Sequence, residues 1–231
     1  MNSKFERTER LLGENAIQKL KKTRVALFGV GGVGSYALEA LVRSGVGNID
    51  VFDSDSVDIT NFNRQIIATE SELGNKKVDA AVRRAKSINQ DINIRGFDIF
   101  YLPDMEEKVD LSGYDYIIDA VDTVSAKIDL IVRSNALNIP IISVMGTGNK
   151  LDATQLTVSD IYITQNCPLC KVMRYELKKR GIKKLDVVWS PEISAKITVD
   201  NKNGKNSPAS AVFVPATAGI IVAGEVVRNL I

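Results

Sequence analysis

The sequence predicts an α/β protein, a mostly parallel and doubly wound sheet carrying a C-terminal substrate-binding extension. Three observations carry that reading. Apolar runs of strand length alternate with helical stretches through the first 150 residues, as parallel strands joined by crossover helices do. The run Val25–Phe28 passes straight into Gly29-x-Gly31-x-x-Gly34 and a helical pattern; strand, tight turn and helix in that order set a phosphate on helix N-terminal amides. A second run, Ile49–Phe52, ends in Asp53, where a Rossmann-like unit puts the carboxylate for a ribose hydroxyl.

Taken in order, Phe5–Lys21 has Leu11, Leu12, Ile17 and Leu20 among charges and reads as one short helical arm within residues 1–22, with Arg7 and Arg10 flanking Thr8. On residue types alone it is a solvated arm. The first strand is Arg24–Phe28, and the helix behind the glycines is Gly34–Ser44. Asn75–Asn89 carries Val78, Ala81, Val82, Ala85 and Ile88 at helical spacing. Ile92–Phe97 is a short strand and Tyr114–Asp119 a buried one, followed by a helix over Val124–Leu137. Pro140–Met145 is another buried strand, and the glycines up to Gly148 mark a turn. These elements make residues 23–150 a nucleotide-binding core. Beyond it lie a strand over Thr154–Val158, a basic helix over Pro168–Arg180 and a short apolar run, Asp186–Trp189. A polar loop over Ala195–Ser210, read as mobile, and an apolar helix over Ala218–Ile231 close the chain. With no periodic βα unit of its own, 151–231 reads as a substrate-facing extension of one domain.

Composition narrows the chemistry. At 231 residues and 45% apolar the chain suits one large α/β domain with a substantial core. No apolar run approaches membrane-spanning length, and Met1–Arg10 lacks the apolar core of a signal peptide. The expected location is the cytoplasm, with no membrane partner. The net charge of +2 confines any nucleic-acid surface to a local patch. The absence of histidine excludes Ser-His, Cys-His and His-metal mechanisms.

The glycine loop alone also fits an NAD-dependent oxidoreductase. An Asn and an Arg so close behind Asp53, at Asn61 and Arg64, suit a triphosphate better than a nicotinamide. Five motifs together resemble the ubiquitin-activating-like adenylating enzymes, the ThiF/MoeB/HesA group: Gly29-x-Gly31-Gly32-x-Gly34-Ser35, Asp53-x-Asp55, Asn61-x-x-Arg64-Gln65, Gly74-x-x-Lys77 and Asp119-x-x-Asp122. Such enzymes join a carboxylate to AMP. The resemblance implies that Gly31 and Gly32 lie against the phosphates of ATP and that Asp53 holds the ribose. It implies that Asn61, Arg64 and Lys77 grip phosphates and Asp122 positions magnesium. It also implies a homodimer in which Arg7 reaches the neighbouring subunit's ATP. Elementary electrostatics agrees, because a carboxylate attacking the α-phosphorus brings two anions together, and fixed cations must offset the developing charge. Asp122 equally suits a helix cap before Val124, Lys77 a solvated helix lysine, and Asp55 a turn or cap residue.

Activators of ubiquitin-like proteins in this group usually carry two CxxC pairs for zinc, whereas here Cys167-Pro-Leu-Cys170 is the only pair. Two thiolates make half of a tetrahedral site, so no structural zinc is expected. The pair is read as reduced thiols at a helix start, with a redox role or a zinc site shared across a dimer as the other readings. The chain more closely resembles the branch that dehydrates threonylcarbamoyladenosine in tRNA. That likeness extends to Phe5-x-Arg7-Thr8, Asp152-x-Thr154-Gln155, the basic helix, Trp189-Ser-Pro-Glu192 and Phe213-Val-Pro215. It implies adenylation of a threonine carboxylate followed by hydantoin ring closure. Adenylation of a small sulfur-carrier protein's C-terminus is the alternative, and a cysteine-desulfurase sulfur-relay partner is left open. From Lys171 to Lys184 there are seven cations and one anion, Glu176. A basic face beside an adenylation site points to tRNA, with Lys171, Arg174, Lys178, Lys179 and Arg180 as the contacting residues.

Overall fold

The computed structural model describes residues 4–105, 108–195 and 208–231. Seven strands form one sheet: β1 (Arg24–Phe28), β2 (Asn48–Phe52), β3 (Asn93–Phe97), β4 (Tyr116–Asp119), β5 (Ile141–Val144), β6 (Thr157–Asp160) and β7 (Asp186–Trp189), in the spatial order β3-β2-β1-β4-β5-β7-β6. All neighbours run parallel except β6 and β7. From β1 the chain winds outward through β2 and β3, then returns to β4 on the other side. The topological switch point, where open α/β sheets bind ligands, therefore lies between β1 and β4.

Successive strand residues face opposite layers. Val25, Leu27, Ile49, Val51 and Ile118 pack into one core with the helices α3 (Gly34–Ser44), α4 (Lys77–Ile88) and α7 (Phe213–Leu230). Ala26, Phe28, Phe52 and Ile117 pack the other way, against Ala126 and Leu130 of α5 (Val124–Ala136). Burial on both faces explains why these strands read as largely apolar runs. The helix α6 (Pro168–Lys179) lies beside α5, its Cys170, Met173 and Leu177 in a third cluster with Ile131, Val187 and Trp189.

The structure corrects several expected boundaries. The N-terminal arm is two helices, α1 (Glu6–Leu12) and α2 (Glu14–Lys22), broken at Gly13, whose φ of 89° no helix accepts. It is not simply solvated either, since Phe5, Ile17 and Leu20 are buried in the main core. The strand expected over Thr154–Val158 begins at Thr157, because Asp152 accepts the Thr154 N–H at 2.9 Å and folds Ala153–Gln155 into a 3₁₀ turn. The last third is continuous with the sheet: β7 pairs with β5, β6 with β7, and α7 packs on α3. α7 starts five residues earlier than expected, with Pro215 in the first turn where its missing N–H costs nothing. Contrary to the sequence reading, this helix is long and apolar enough to cross a membrane. Half of it is buried within the fold, as in a core helix. The expected loop over Ala195–Ser210 falls largely outside the described residues.

Candidate active site

A cleft of about 640 Å³ opens over the carboxyl ends of β1, β2 and β4. Its floor is the glycine turn. Gly29 sits at φ 85°, and a Cβ there would meet the Ala120 carbonyl oxygen at 2.6 Å; at Gly34 it would meet the Gly29 carbonyl oxygen at 1.9 Å. Both positions must be glycine for α3 to start this close to β1. Gly31 and Gly32 line the cleft itself. Asp53 pins the turn to the end of β2, one carboxylate oxygen accepting the Val30 N–H at 2.8 Å and the other the Asp55 N–H at 2.9 Å.

The cations converge from two directions. Arg64 lines the cleft, its guanidinium steadied by the Thr60 carbonyl at 2.6 Å and the Asn63 side-chain oxygen at 3.2 Å. Lys77 opens α4 and also lines the cleft. It is no solvated helix lysine, being buried with its ammonium 2.6 Å from Asp55. Asp55, read as a turn residue, is thus the partner that holds Lys77 in place, and its spacing from Asp53 was the available signal. Asp122 lines the cleft, is exposed, and makes no hydrogen bond or ion pair within the described residues. The helix-cap reading fails, since the residue before α5 is Thr123 and no side chain caps that helix.

Asn61 is corrected. It is buried outside the cleft lining, and its side-chain oxygen accepts the Asp58 N–H at 3.1 Å, closing a capping box around the Ile59–Asn61 turn. Its contribution is to shape the turn that presents Arg64. Arg7 is exposed on α1 and lines no part of its own chain's cleft. Arg174 is turned inward, donating to the Thr164 carbonyl at 3.0 Å and to that residue's hydroxyl. Arg180 and Lys179 both pair with Glu176, and Lys179 also lies 3.9 Å over the Tyr175 ring. Lys171 and Lys178 are exposed on the outer face of α6.

Several cleft residues escaped sequence reasoning. Phe52 stacks between Phe28 and Phe97 at 4.4 and 4.7 Å. With Ile99, Phe100 and Tyr101 it builds an apolar wall suited to a purine face. Tyr101 donates to Asp129 at 2.5 Å, and burial, then that carboxylate, push its hydroxyl pKa upward. Gln65 belongs to the Arg64 motif but gave no sign of facing the cleft. Its side-chain oxygen is buried without a partner among the described residues. An orphaned acceptor in a ligand-sized cleft fits a donor on a bound molecule. Beneath Asp122, the fully buried Lys127 donates to Asp119 at 3.0 Å, Ser143 at 3.1 Å and the Val144 carbonyl at 2.8 Å. Cys167 and Cys170 form no disulfide, and both are buried.

Comparison with known proteins gives a consistent answer. The model of the ThiF family matches residues 5–230. The tRNA threonylcarbamoyladenosine dehydratase of Bacillus subtilis (strain 168) is 41% identical over 243 residues, covering 100% of this chain and 96% of that protein. The crystal structure of E. coli tRNA N6-threonylcarbamoyladenosine dehydratase, TcdA, in complex with AMP superposes with a TM-score of 0.90 at 33% identity, over 98% of this chain and 93% of that one. The same enzyme in complex with ATP superposes with a TM-score of 0.88 over the same shares of the two chains.

Proposed function

The chain belongs to the ThiF family, and on that premise we propose that it dehydrates threonylcarbamoyladenosine in tRNA, using ATP to adenylate the threonine carboxylate. One observation carries the reading: Arg64, Lys77 and Asp122 meet in one cleft beside the glycine turn and Asp53, in a chain similar end to end to such a dehydratase. A carboxylate is a poor electrophile and its mixed anhydride with AMP a good one. The carboxylate oxygen attacks the α-phosphorus, and the bond to pyrophosphate breaks. The neighbouring ureido nitrogen then attacks the activated carbonyl, loses its proton to solvent and expels AMP, closing a five-membered hydantoin. The net change is loss of water driven by ATP cleavage. Intramolecular attack at an effective molarity of about 10⁵–10⁸ M makes an acyl-cysteine unnecessary.

Each cleft residue has a part in this. The amides of the glycine turn and the start of α3 face the phosphates. Arg64 and Lys77 offset charge that develops as the anions meet. Asp53 takes the ribose, the Phe52–Tyr101 wall the purine, and Gln65 a donor on the substrate. A lone exposed carboxylate such as Asp122 fits magnesium when the triphosphate supplies the other oxygens, and a metal there would neutralise phosphate charge. The proposed location is the cytoplasm, where ATP and tRNA are both available. With ATP, magnesium and tRNA, AMP is expected to form only when the tRNA carries threonylcarbamoyladenosine. AMP release at the same rate with unmodified tRNA would remove that substrate.

The tRNA face is α6. Lys171, Tyr175 and Lys178 follow at four- and three-residue spacing on its outer side, and Tyr175 is 62% exposed. Arg174 is turned inward and Arg180 pairs closely with Glu176 at 2.6 Å, so on α6 Lys171, Lys178 and the more loosely paired Lys179, 3.5 Å from Glu176, are the cations offered to phosphate. Replacing these three with alanine should weaken tRNA binding and flatten its dependence on log salt by about one to two contacts, each about −0.7 to −0.9 in slope. ATP affinity should stay level. An unchanged slope in a salt titration would make α6 a solvated face.

The protein acts as a homodimer in which Arg7, idle in its own chain, serves the partner's cleft. Mixing Arg7→Ala and Asp122→Ala proteins under subunit exchange should then restore AMP formation through one intact hybrid site. No restoration would return Arg7 to a surface role.

A further inference from the structure

The purine wall of the cleft is held by more than apolar contact. Between Phe97, the end of β3, and Tyr116, the start of β4, the described residues form no helix or strand. No backbone ladder therefore fixes Ile99, Phe100 and Tyr101 where they line the cleft. Packing holds part of the segment. Tyr101, Val109 and Leu111 are buried with Phe28, Phe52 and Leu130, and the Tyr101 ring meets the Phe28 ring edge-on, centroids 5.0 Å apart. Apolar burial is non-directional, so it does not by itself set where that ring stands.

Direction comes from α5. Ala126, Asp129 and Arg133 follow at three- and four-residue spacing on one face of that helix. Ala126 lines the cleft, whereas Asp129 and Arg133 do not. The Tyr101 hydroxyl donates to Asp129 at 2.5 Å and accepts the Arg133 Nη1–H at 2.6 Å. The other arm of the same guanidinium donates to the Val109 carbonyl at 2.7 Å. Arg133 and Asp129 also face each other at 3.9 Å, their side chains 11% and 20% exposed. One planar fork thus spans two points of an otherwise irregular segment, and a carboxylate one helical turn back balances its charge. Hydrogen bonds this shielded from water are stronger than surface ones.

We propose that Arg133 is a positioning residue for the nucleotide, holding Tyr101 and the Val109 backbone so that the cleft wall stands where a purine packs on it. This role rests on the ATP reading of the cleft and gives the base-binding half of the site its own fixing point. Arg64 and Lys77, which meet the phosphates in that reading, hydrogen-bond to Thr60, Asn63 and Asp55 and to no member of this latch. Base and phosphate contributions to binding should therefore separate.

Calorimetric titration of the full chain with magnesium-ATP and with magnesium-tripolyphosphate, which lacks the base, tests the division. Arg133→Met should bind ATP about tenfold more weakly, the scale of one misplaced aromatic contact, and tripolyphosphate as the wild type does. Tyr101→Phe keeps the ring and loses only the hydroxyl. It should melt normally and weaken ATP in the same selective way. In AMP formation with tRNA carrying threonylcarbamoyladenosine, both variants should raise KM for ATP and leave kcat near wild type, because the reacting groups are untouched. Combining them should cost no more than Arg133→Met alone, since both break one latch. Wild-type ATP affinity in either folded variant would overturn the proposal. Equal losses for ATP and tripolyphosphate would overturn it too, making Arg133 a support of the whole fold. Wild-type protein that binds neither compound would strike the ATP reading itself, and the latch with it.

Discussion

Arg64→Ala and Asp122→Ala proteins are expected to fold normally and to lose AMP formation by at least about a hundredfold each. The guanidinium of Arg64 faces the cleft from a turn that Asn61 and Asp58 hold by their own capping hydrogen bonds, so its removal costs that turn little. Asp122 makes no hydrogen bond or ion pair within the described residues, and its loss leaves no cap open. Truncating the exposed Asp122 should change stability by about 0.5 kcal/mol or less, and the half-buried Arg64 gives up only the hydrogen bonds to Thr60 and Asn63 within its own turn. Their chemical weight is larger. Each offsets or organises charge that develops as the carboxylate meets the α-phosphorus, and losing one preorganised donor of that kind costs about 2.7–4 kcal/mol, or 10²–10³ in rate. Single-turnover AMP formation read beside a thermal melt separates the two effects. Normal melting with wild-type turnover would take both residues out of the mechanism.

How much of this was legible in the sequence follows from what each segment buries. Strands β1, β2, β4 and β5 stood out to within two residues because both faces are covered and most positions are apolar. The cleft was legible where backbone geometry dictates residue type, as at Gly29 and Gly34. It was not legible where a loop brings a side chain in from elsewhere. Phe100 and Tyr101 belong to no strand or helix and carry no motif, yet they close the wall of the cleft. Spacing also places a motif without saying which way its side chains face: Arg64 and Asn61 share one, and only Arg64 reaches the cleft. The β6–β7 pair was hidden for another reason. Its strands are four residues each, and β6 is half-exposed and polar, so periodicity had little to register.

Lys127 is the clearest miss and carries the other large effect. A helix reading puts it on the same face as Leu130 and Ile131, three and four residues on, so a lysine in that stripe signals either an error or a buried partner. The structure supplies the partner. Asp119 and Lys127 have no exposed surface, all three ammonium protons are used, and Ser143 donates its hydroxyl to the same carboxylate. The other oxygen of Asp119 accepts the Val121 N–H at 3.3 Å, one residue before Asp122. Lys127→Met fills the volume but strands a buried carboxylate, which should cost about 3–5 kcal/mol, a large share of the whole stability of a domain. Removing the charge as well, in Asp119→Asn/Lys127→Met, should recover a good part of it. A double-mutant cycle in urea reads this coupling directly, because the two groups are in contact and their losses should be strongly non-additive. The rescued protein should still form AMP slowly, since the turn presenting Asp122 has lost the carboxylate that orients it. Additive losses across the cycle would show that the pair is no pair, and full activity in the rescued protein would free Asp122 from the network below it.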